Sequence, residues 1–343
     1  MSEPAESEGA TKPSLVAKLA RWGMVIVLVG AALNLALAWR SIDGAGRALD
    51  SIALGWLVLA AILGITPWFF ISGRIWMWAR FLGNPISYRD AFRTTAGTEL
   101  TSSISPKAIG GAPAKIALMI GAGVRPGRAA SILLLDNIAD VVFFAAVVPA
   151  IAVFTRRWEV PEVREVLLRL QDKIVTAAPW IAAVVVVIII AVMVQRRRAA
   201  RASGEPGKVR QLLAQVRVDF VSTYALVGQQ GKSRALMAVL LTTGLWFCRA
   251  SVATAVMFGV GQPVDPILFF LLQWVVFAMM VLVPTPGATI GAEASFAAVL
   301  SGFVIDGLLG VVTAGWRLFS FYVPLLFGLA VMPILGRRRT ESA

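Results

Sequence analysis

The stretch Val281–Leu300, VLVPTPGATIGAEASFAAVL, is apolar enough for a membrane but is broken and carries one acid. Two prolines, the second of them Pro286, interrupt a helix because proline lacks the N–H donor and its ring clashes with the preceding turn. Gly287 and Gly291 permit a turn and a close approach between helices, and Glu293 follows them. Irregular backbone at membrane depth is tolerated only where it is buried in protein or lines a wet cavity.

A similar break occurs earlier, in Ser105–Ile120, SPKAIGGAPAKIALMI. A Gly-Ala pair begins five residues after Pro106, at Gly111, and another begins five residues after Pro286, at Gly291. Corresponding breaks in two parts of a membrane chain are the best sequence indicator of a transporter's binding site. A helix that starts after such a break presents bare N–H groups and a positive dipole end, which suits a phosphate. The alternative interpretation is a tightly packed kink with no ligand.

The rest of the chain is as apolar as these two stretches. Its hydrophobic fraction is 58%, against about half in a soluble globular chain. The excess lies in long runs such as Trp180–Val194, WIAAVVVVIIIAVMV. A helix that crosses about 30 Å of hydrocarbon needs roughly 20 apolar residues. The sequence therefore predicts an all-α polytopic membrane protein.

We predict about eight transmembrane helices, a re-entrant helical hairpin and a second Pro/Gly-broken segment, all in one domain over residues 18–336. The hairpin is assigned to Tyr88–Val124, which is only half hydrophobic and has a polar centre. The short, weak segment Gly287–Gly302 is predicted to cross. The predicted spans are Leu19–Trp39, Ser51–Ile71, Ala129–Phe154, Ile174–Val194, Ala235–Val260, Pro266–Val283, Gly287–Gly302 and Leu308–Leu335.

The charge distribution predicts the orientation. The net charge is +13, and the arginines cluster beside hydrophobic ends: Arg74–Arg93 after the second span, the loop 195–234, and Arg337–Arg339. Basic loops of membrane proteins face the cytoplasm, so we expect a plasma (inner) membrane protein with a disordered cytoplasmic tail over residues 1–17 and another cytoplasmic tail over 337–343. A re-entrant Gly287 segment would instead place the C-terminal arginines outside. Membrane lipids, and not nucleic acid, are the expected partners of this basic surface.

The chain has no histidine and one cysteine. A metal site of clustered histidines or cysteines and general-base catalysis by histidine are therefore excluded. We assign no catalytic residue, no metal and no cofactor.

Charged residues within or beside the spans are the remaining site candidates, because an Asp or Arg at a helix centre costs roughly 2.5–3.5 kcal/mol and requires a partner or water. Asp136 and Asp140 share one helix face, so one of them is expected to hold a proton in a dry site. We expect Glu293 to lie near Arg317, and we interpret Arg249 and Asp136 as members of structural ion pairs. The candidate substrate-binding residues are Glu99, Pro106, Gly110, Gly111, Lys115, Asp136, Asp140, Pro286, Gly287, Gly291, Glu293 and Arg317.

These residues resemble the motifs of the lysylphosphatidylglycerol synthase transmembrane family, also called flippase-like domain proteins. The stretch Pro284–Glu293 is similar to the family's Pro-Thr-Pro-Gly-Gly-x-Gly pattern followed by Glu, with Ala288 at one glycine position. Gly110-Gly111 match the first motif, where Ala112 replaces an acid and Lys115 stands in the place of an arginine. Asp136-Asn137 and Asp140 stand where the family has an acid–arginine pair and a later aspartate, and Arg317 matches an arginine of the last span. The resemblance covers about Leu19 to Leu335.

The resemblance implies a lipid function. The best-understood family member makes lysylphosphatidylglycerol with a separate soluble aminoacyl-transfer domain and flips it to the outer leaflet, and other relatives are linked to polyprenyl-phosphate sugars. We expect these 343 residues to supply only the translocating part, for an anionic or aminoacylated phospholipid or a polyprenyl-phosphate lipid, so an enzyme is not the favoured interpretation. The alternatives are a membrane-embedded glycosyltransferase or other lipid-linked enzyme, and an accessory subunit of a separate lipid synthase.

Overall fold

The computed structural model of the chain describes residues 29–32, 36, 52–105, 110–156, 159, 164, 168, 179, 218, 222–282, 289–305 and 307–336. The regular secondary structure of these residues is helical. The main helices are α1 (Leu54–Phe81), α2 (Tyr88–Ile104), α3 (Gly111–Gly121), α4 (Pro126–Thr155), α5 (Lys232–Gly259), α6 (Pro266–Leu282), α7 (Thr289–Leu300) and α8 (Leu309–Leu335). Pro106, Pro286, Gly287, both predicted tails and most of the loop 195–234 lie outside the described residues.

Four of these helices, α1, α4, α5 and α8, are long and apolar enough to cross a membrane. They confirm the polytopic helical class. The predicted spans Leu19–Trp39 and Ile174–Val194 lie almost wholly outside the described residues. The described helices therefore do not establish the predicted count of about eight.

Helix α1 is longer than the predicted second span, which ends at Ile71. Its residue Pro67 opens a new helical turn, where the missing N–H costs little, and the helix continues to Phe81. The sequence analysis placed Arg74 on the cytoplasmic rim, which is wrong. Arg74 is 3% exposed inside α1, because the apolar run IWMWA follows it and extends the span.

Helices α2 and α3 form the helical hairpin predicted at Tyr88–Val124. They pack closely and antiparallel, since a Cβ on Gly97 would lie 2.6 Å from Leu118 Cδ1. At the base of the hairpin, Asn84 Oδ1 accepts a hydrogen bond from the Arg125 N–H at 3.2 Å. The chain therefore starts and finishes this hairpin at the same end.

Helices α6 and α7 form a second hairpin, which corrects the predicted crossing of Gly287–Gly302. Helix α7 has 12 residues, about 18 Å at 1.5 Å per residue, too short for about 30 Å of hydrocarbon. Gln262 Oε1 accepts a hydrogen bond from the Ile305 N–H at 3.5 Å and closes the base. Because the hairpin replaces two predicted crossings, it leaves the predicted side of the C-terminus unchanged.

Helices α1 and α5 pack against each other and run antiparallel. At one end the Ala53 N–H donates to the Gly259 carbonyl at 3.0 Å. At the other end the Arg234 guanidinium lies 4.5 Å from the Phe81 ring centroid. The first hairpin follows the C-terminal end of α1 and the second follows the C-terminal end of α5. The two hairpin bases therefore lie at opposite ends of this helix pair.

Candidate functional site

A polar cavity of about 150 Å³ lies between α1, α2, α3, α4 and α5. Its lining is mostly charged or hydrogen-bonding, although the surrounding helices are apolar. The lining residues are Ile71, Arg74, Thr95, Thr98, Glu99, Lys115, Asp140, Leu245, Trp246 and Arg249.

One wall of the cavity is formed by a cluster of two cations and two carboxylates, of which all but Asp140 are buried. Arg74 Nη1 donates to Asp140 Oδ1 at 3.0 Å and to Thr242 Oγ1 at 2.6 Å. Arg74 Nε lies 3.4 Å from Asp136 Oδ1, and Lys115 Nζ donates to Asp136 Oδ2. Each carboxylate thus has a cation beside it. The expected proton on one of the two aspartates stays a prediction.

A second, more exposed ion pair also lines the cavity. Arg249 Nη2 lies 3.3 Å from Glu99 Oε1, and both side chains are 32% exposed. The Arg249 guanidinium also lies 5.5 Å from the centroid of the Trp246 ring, and Trp246 Nε1 donates to Asp140 Oδ1 at 3.2 Å. The Arg74, Lys115 and Asp136 side chains are at most 8% exposed. Asp140 is 30% exposed and faces the cavity, as the Glu99–Arg249 pair does.

The candidates of the first broken segment converge on this cavity. Glu99, Lys115 and Asp140 line it. Asp136 lies behind Lys115 and Arg74, in the structural ion pairs expected for it. The two glycines at the start of α3 have a packing role, because a Cβ on Gly111 would overlap Ser102 Oγ.

The candidates of the second broken segment lie elsewhere. Arg317 is 3% exposed in α8. Its guanidinium lies 4.0 Å from the Phe321 ring centroid, and the Tyr322 side chain is close enough to act on it electrostatically. The Glu293 carboxylate is close enough to act electrostatically on the Arg317 cation, as the expected proximity requires, and Gly291 is buried nearby along α7. Neither Glu293 nor Arg317 lines the cavity.

The sequence analysis missed several residues of the cavity. Arg74 was assigned to the rim, and Arg249 was interpreted only as a structural partner. Thr95, Thr98 and Trp246 carried no signal, because isolated hydroxyls and aromatic rings are common in membrane helices. The described residues contain no group of three or more His, Cys, Asp or Glu side chains that could hold a metal ion.

Comparison with known proteins agrees with the motif resemblance. The family described as the lysylphosphatidylglycerol synthase TM region matches residues 22–328. A protein described as a UPF0104 membrane protein from Archaeoglobus fulgidus is 22% identical over 291 residues, covering 79% of this chain and 84% of that protein. No solved structure matches the chain.

Proposed function

The chain belongs to the lysylphosphatidylglycerol synthase TM-region family, and from that premise we propose that it translocates a lipid between membrane leaflets with the headgroup held in the polar cavity. The lipid carries a phosphate and is an anionic or aminoacylated phospholipid or a polyprenyl-phosphate lipid. The observation that carries the proposal is the partly exposed Glu99–Arg249 pair at the wall of a cavity whose other charges are already neutralised.

Electrostatics favours a ligand at this pair. A third of each side chain is in contact with solvent, so water weakens their attraction, and an exposed pair of this kind contributes only about 0–1 kcal/mol. An incoming phosphate can therefore take the place of Glu99 at low cost. The Arg249 guanidinium would hold it with two parallel hydrogen bonds.

The ion pairs of the two aspartates argue against a catalytic role for these two residues. A general base or a metal-binding acid pair needs a carboxylate that is available to substrate. Asp136 and Asp140 are instead held by Arg74 and Lys115. A separate synthase would supply the lipid if one is required, and the cytoplasmic rim of the plasma membrane is the surface on which we expect the two to meet.

Lipid movement in reconstituted vesicles tests the proposal. Acyl-labelled phosphatidylglycerol, phosphatidylethanolamine, lysylphosphatidylglycerol and a polyprenyl phosphate are each followed by an impermeant quencher. We expect movement of at least one lipid, and we expect Arg249→Gln to slow it by about tenfold or more, because a lost charge-assisted contact is worth about 1.5–3 kcal/mol.

The matched control is Arg80→Gln. Arg80 is exposed and its guanidinium stacks on Trp76 at 4.9 Å, away from the cavity. This variant should move lipid at the wild-type rate. If folded wild-type protein moves none of the four lipids, or if Arg249→Gln is as fast as the wild type, the proposed function is wrong.

A further inference from the structure

The described chain contains the same succession of helices twice. In residues 54–155 a long helix, a two-helix hairpin and a second long helix have lengths of 28, 17, 11 and 30 residues. In residues 232–335 the corresponding lengths are 28, 17, 12 and 27. The first three helices begin at one constant spacing, since 232 − 54, 266 − 88 and 289 − 111 are all 178.

The sequences at the hairpin bases repeat at the same spacing. Gly83–Ser87 reads Gly-Asn-Pro-Ile-Ser, and Gly261–Asp265 reads Gly-Gln-Pro-Val-Asp. Both glycines have positive φ, +68° and +73°. In each copy the following amide side chain accepts the N–H that closes the hairpin, and the Ser or Asp oxygen caps the next helix.

The last helix of each half shares a further feature. A π-helical turn of five residues interrupts α4 at Phe143–Val147 and α8 at Leu318–Tyr322. A Val-Pro pair follows each turn, beginning at Val148 and Val323. Because π-turns are rare, their recurrence at the same place supports a structural repeat.

The two copies have opposite directions. Their first helices, α1 and α5, are antiparallel over their whole length, with contacts at both ends. The hairpin bases consequently lie at opposite ends of the pair. This arrangement is that of an inverted-topology repeat, in which substrate sites form between the copies and are reached from alternate sides.

The spacing of 178 relates the cavity to residues of the second half. Thr95 corresponds to Gln273, and Lys115 corresponds to Glu293. Gln273 is 0% exposed, and neither of its amide atoms has a hydrogen-bond partner among the described residues. Glu293 acts on the Arg317 cation, as Lys115 pairs with Asp136 in the first half. A buried amide without a partner is uncommon and calls for an explanation.

Aromatic side chains pack around the buried residues of the second half. The Trp316 ring stacks on Phe296 at 4.5 Å and lies 6.5 Å from Phe277. Phe277 corresponds to Glu99, and it also contacts Trp246 of the cavity, at 5.5 Å between ring centroids. Trp246 of the cavity is therefore in direct contact with the aromatic cluster of the second half.

We propose that the second half holds a closed counterpart of the cavity, formed by Gln273, Glu293 and Arg317, which opens toward the opposite membrane face and takes the same phosphate-bearing lipid headgroup. The ligand assignment rests on the proposed function. In the open state the Gln273 amide and the Arg317 guanidinium meet the phosphate, and the first cavity closes. The structure is then one of two related states.

Reaction of single cysteines with an impermeant thiol reagent tests this site without requiring lipid movement. In a Cys248→Ser background, Thr95→Cys and Gln273→Cys are compared in sealed vesicles of known orientation. Ala96→Cys and Leu272→Cys are the matched controls, because Ala96 does not line the cavity and Leu272 packs in the hydrophobic core. We expect Thr95→Cys to react from one face and Gln273→Cys to react from the other face only, about tenfold or more slowly, because a minor state is populated at roughly 10% or less.

A second pair of cysteine variants tests the same proposal if Gln273→Cys does not fold. Thr98→Cys and Val276→Cys occupy the next equivalent positions, and Val276→Cys is a conservative change at a site that is 0% exposed. Reaction of the second-half cysteines from the same face as the first-half cysteines, or no faster than Leu272→Cys, overturns the second site. Opposite-face reaction in a protein that moves no lipid would instead overturn only the proposed function.

A separate measurement tests whether the second site binds the phosphate of the headgroup. Dioctanoyl phosphatidylglycerol should slow the reaction of the second-half cysteine several-fold, whereas dioctanoylglycerol, which lacks the phosphate, should not. Equal protection by both compounds overturns the headgroup assignment.

Discussion

At the scale of single residues, the buried charges next to the cavity are held by one another. Lys115 and Asp136 are almost completely buried and are directly paired. Taking such ions out of water costs several kcal/mol each, and their attraction offsets this cost only while both are present. Arg74 adds a second cation beside Asp136 and links the pair to Asp140. The cluster can thus remain charged in a dry interior and fix the positions of α1, α3 and α4.

Removing one member of the pair should be more harmful than removing both. We expect Asp136→Asn to destabilise the protein by about 3–5 kcal/mol, because Lys115 is left as an uncompensated buried charge. The double variant Lys115→Met/Asp136→Leu should recover much of this loss. Thermal unfolding in mild detergent measures both effects, with Asn137→Ala, on the exposed face of the same helix, as the control. A double variant as unstable as Asp136→Asn would contradict the pairing argument.

Gly64 is the second residue whose identity the packing dictates. A Cβ at this position would overlap the backbone carbonyl oxygen of Phe319, in the π-turn of α8. Backbone cannot move aside as a flexible side chain can, so Gly64→Ala should cost about 1–3 kcal/mol or more, as overpacking does.

Gly55→Ala is the matched control in the same helix, because nothing lies within 4 Å of its Cβ position. It should be neutral or stabilising by about 0.5–1 kcal/mol, as expected for glycine replaced in a helix. Thermal unfolding of the two variants measures the difference in stability. Equal stabilities would show that α1 and the π-turn are not in close contact.

At the scale of elements, each hairpin is closed by one amide side chain. Asn84 is 8% exposed, accepts the Arg125 N–H and donates to the Leu82 carbonyl. A buried hydrogen-bonding group left without its partner costs about 1–3 kcal/mol. The closure is therefore a local stabilising contact that holds the two ends of the first hairpin together.

Asn84→Leu should loosen the base of the first hairpin. The leucine leaves the Arg125 N–H without its acceptor, so we expect faster hydrogen exchange around Val124 and Arg125. Exchange around Gln262, at the base of the second hairpin, should be unchanged and provides an internal control. Equal acceleration at both bases would indicate global destabilisation instead of local opening.

The elements differ in how far the sequence predicted them. The first hairpin was predictable because its polar centre cannot form a lipid-facing span. The second was not, because α6 is as apolar as a crossing helix and only its 17 residues and its closed base distinguish it. The cavity was predicted in part, since charges such as Glu99 and Lys115 are conspicuous in sequence. The Trp246 part of the cavity wall was not predictable, because it depends on packing between helices that are far apart in the chain.

At the scale of the whole molecule, the inverted repeat relates one end of the structure to the other. The sequence alone also contains a sign of this repeat, because Gly83–Ser87 and Gly261–Asp265 are similar. Five residues at a distance of 178 are a weak signal until helix boundaries are known to keep the same spacing. The proline–glycine motifs, which are 180 residues apart, indicate the two broken segments but not the repeat of whole helices.

The repeat makes a prediction about sidedness that does not depend on any ligand. Pro85 and Pro263 are equivalent, exposed residues at the two hairpin bases. Because α1 and α5 are antiparallel, these positions should face opposite sides of the membrane. The arginines that follow α1 and begin α2, among them Arg89, predict that the first base is the cytoplasmic one.

In a Cys248→Ser background, Pro263→Cys should therefore react with an impermeant thiol reagent added to intact cells, and Pro85→Cys should react only after the membrane is opened. The cysteine-free parent is the control for background labelling. Labelling of Pro85→Cys alone in intact cells would reverse the orientation but keep the repeat. Labelling of both residues from one side would contradict the inverted arrangement, because two bases on one face require α1 and α5 to run parallel.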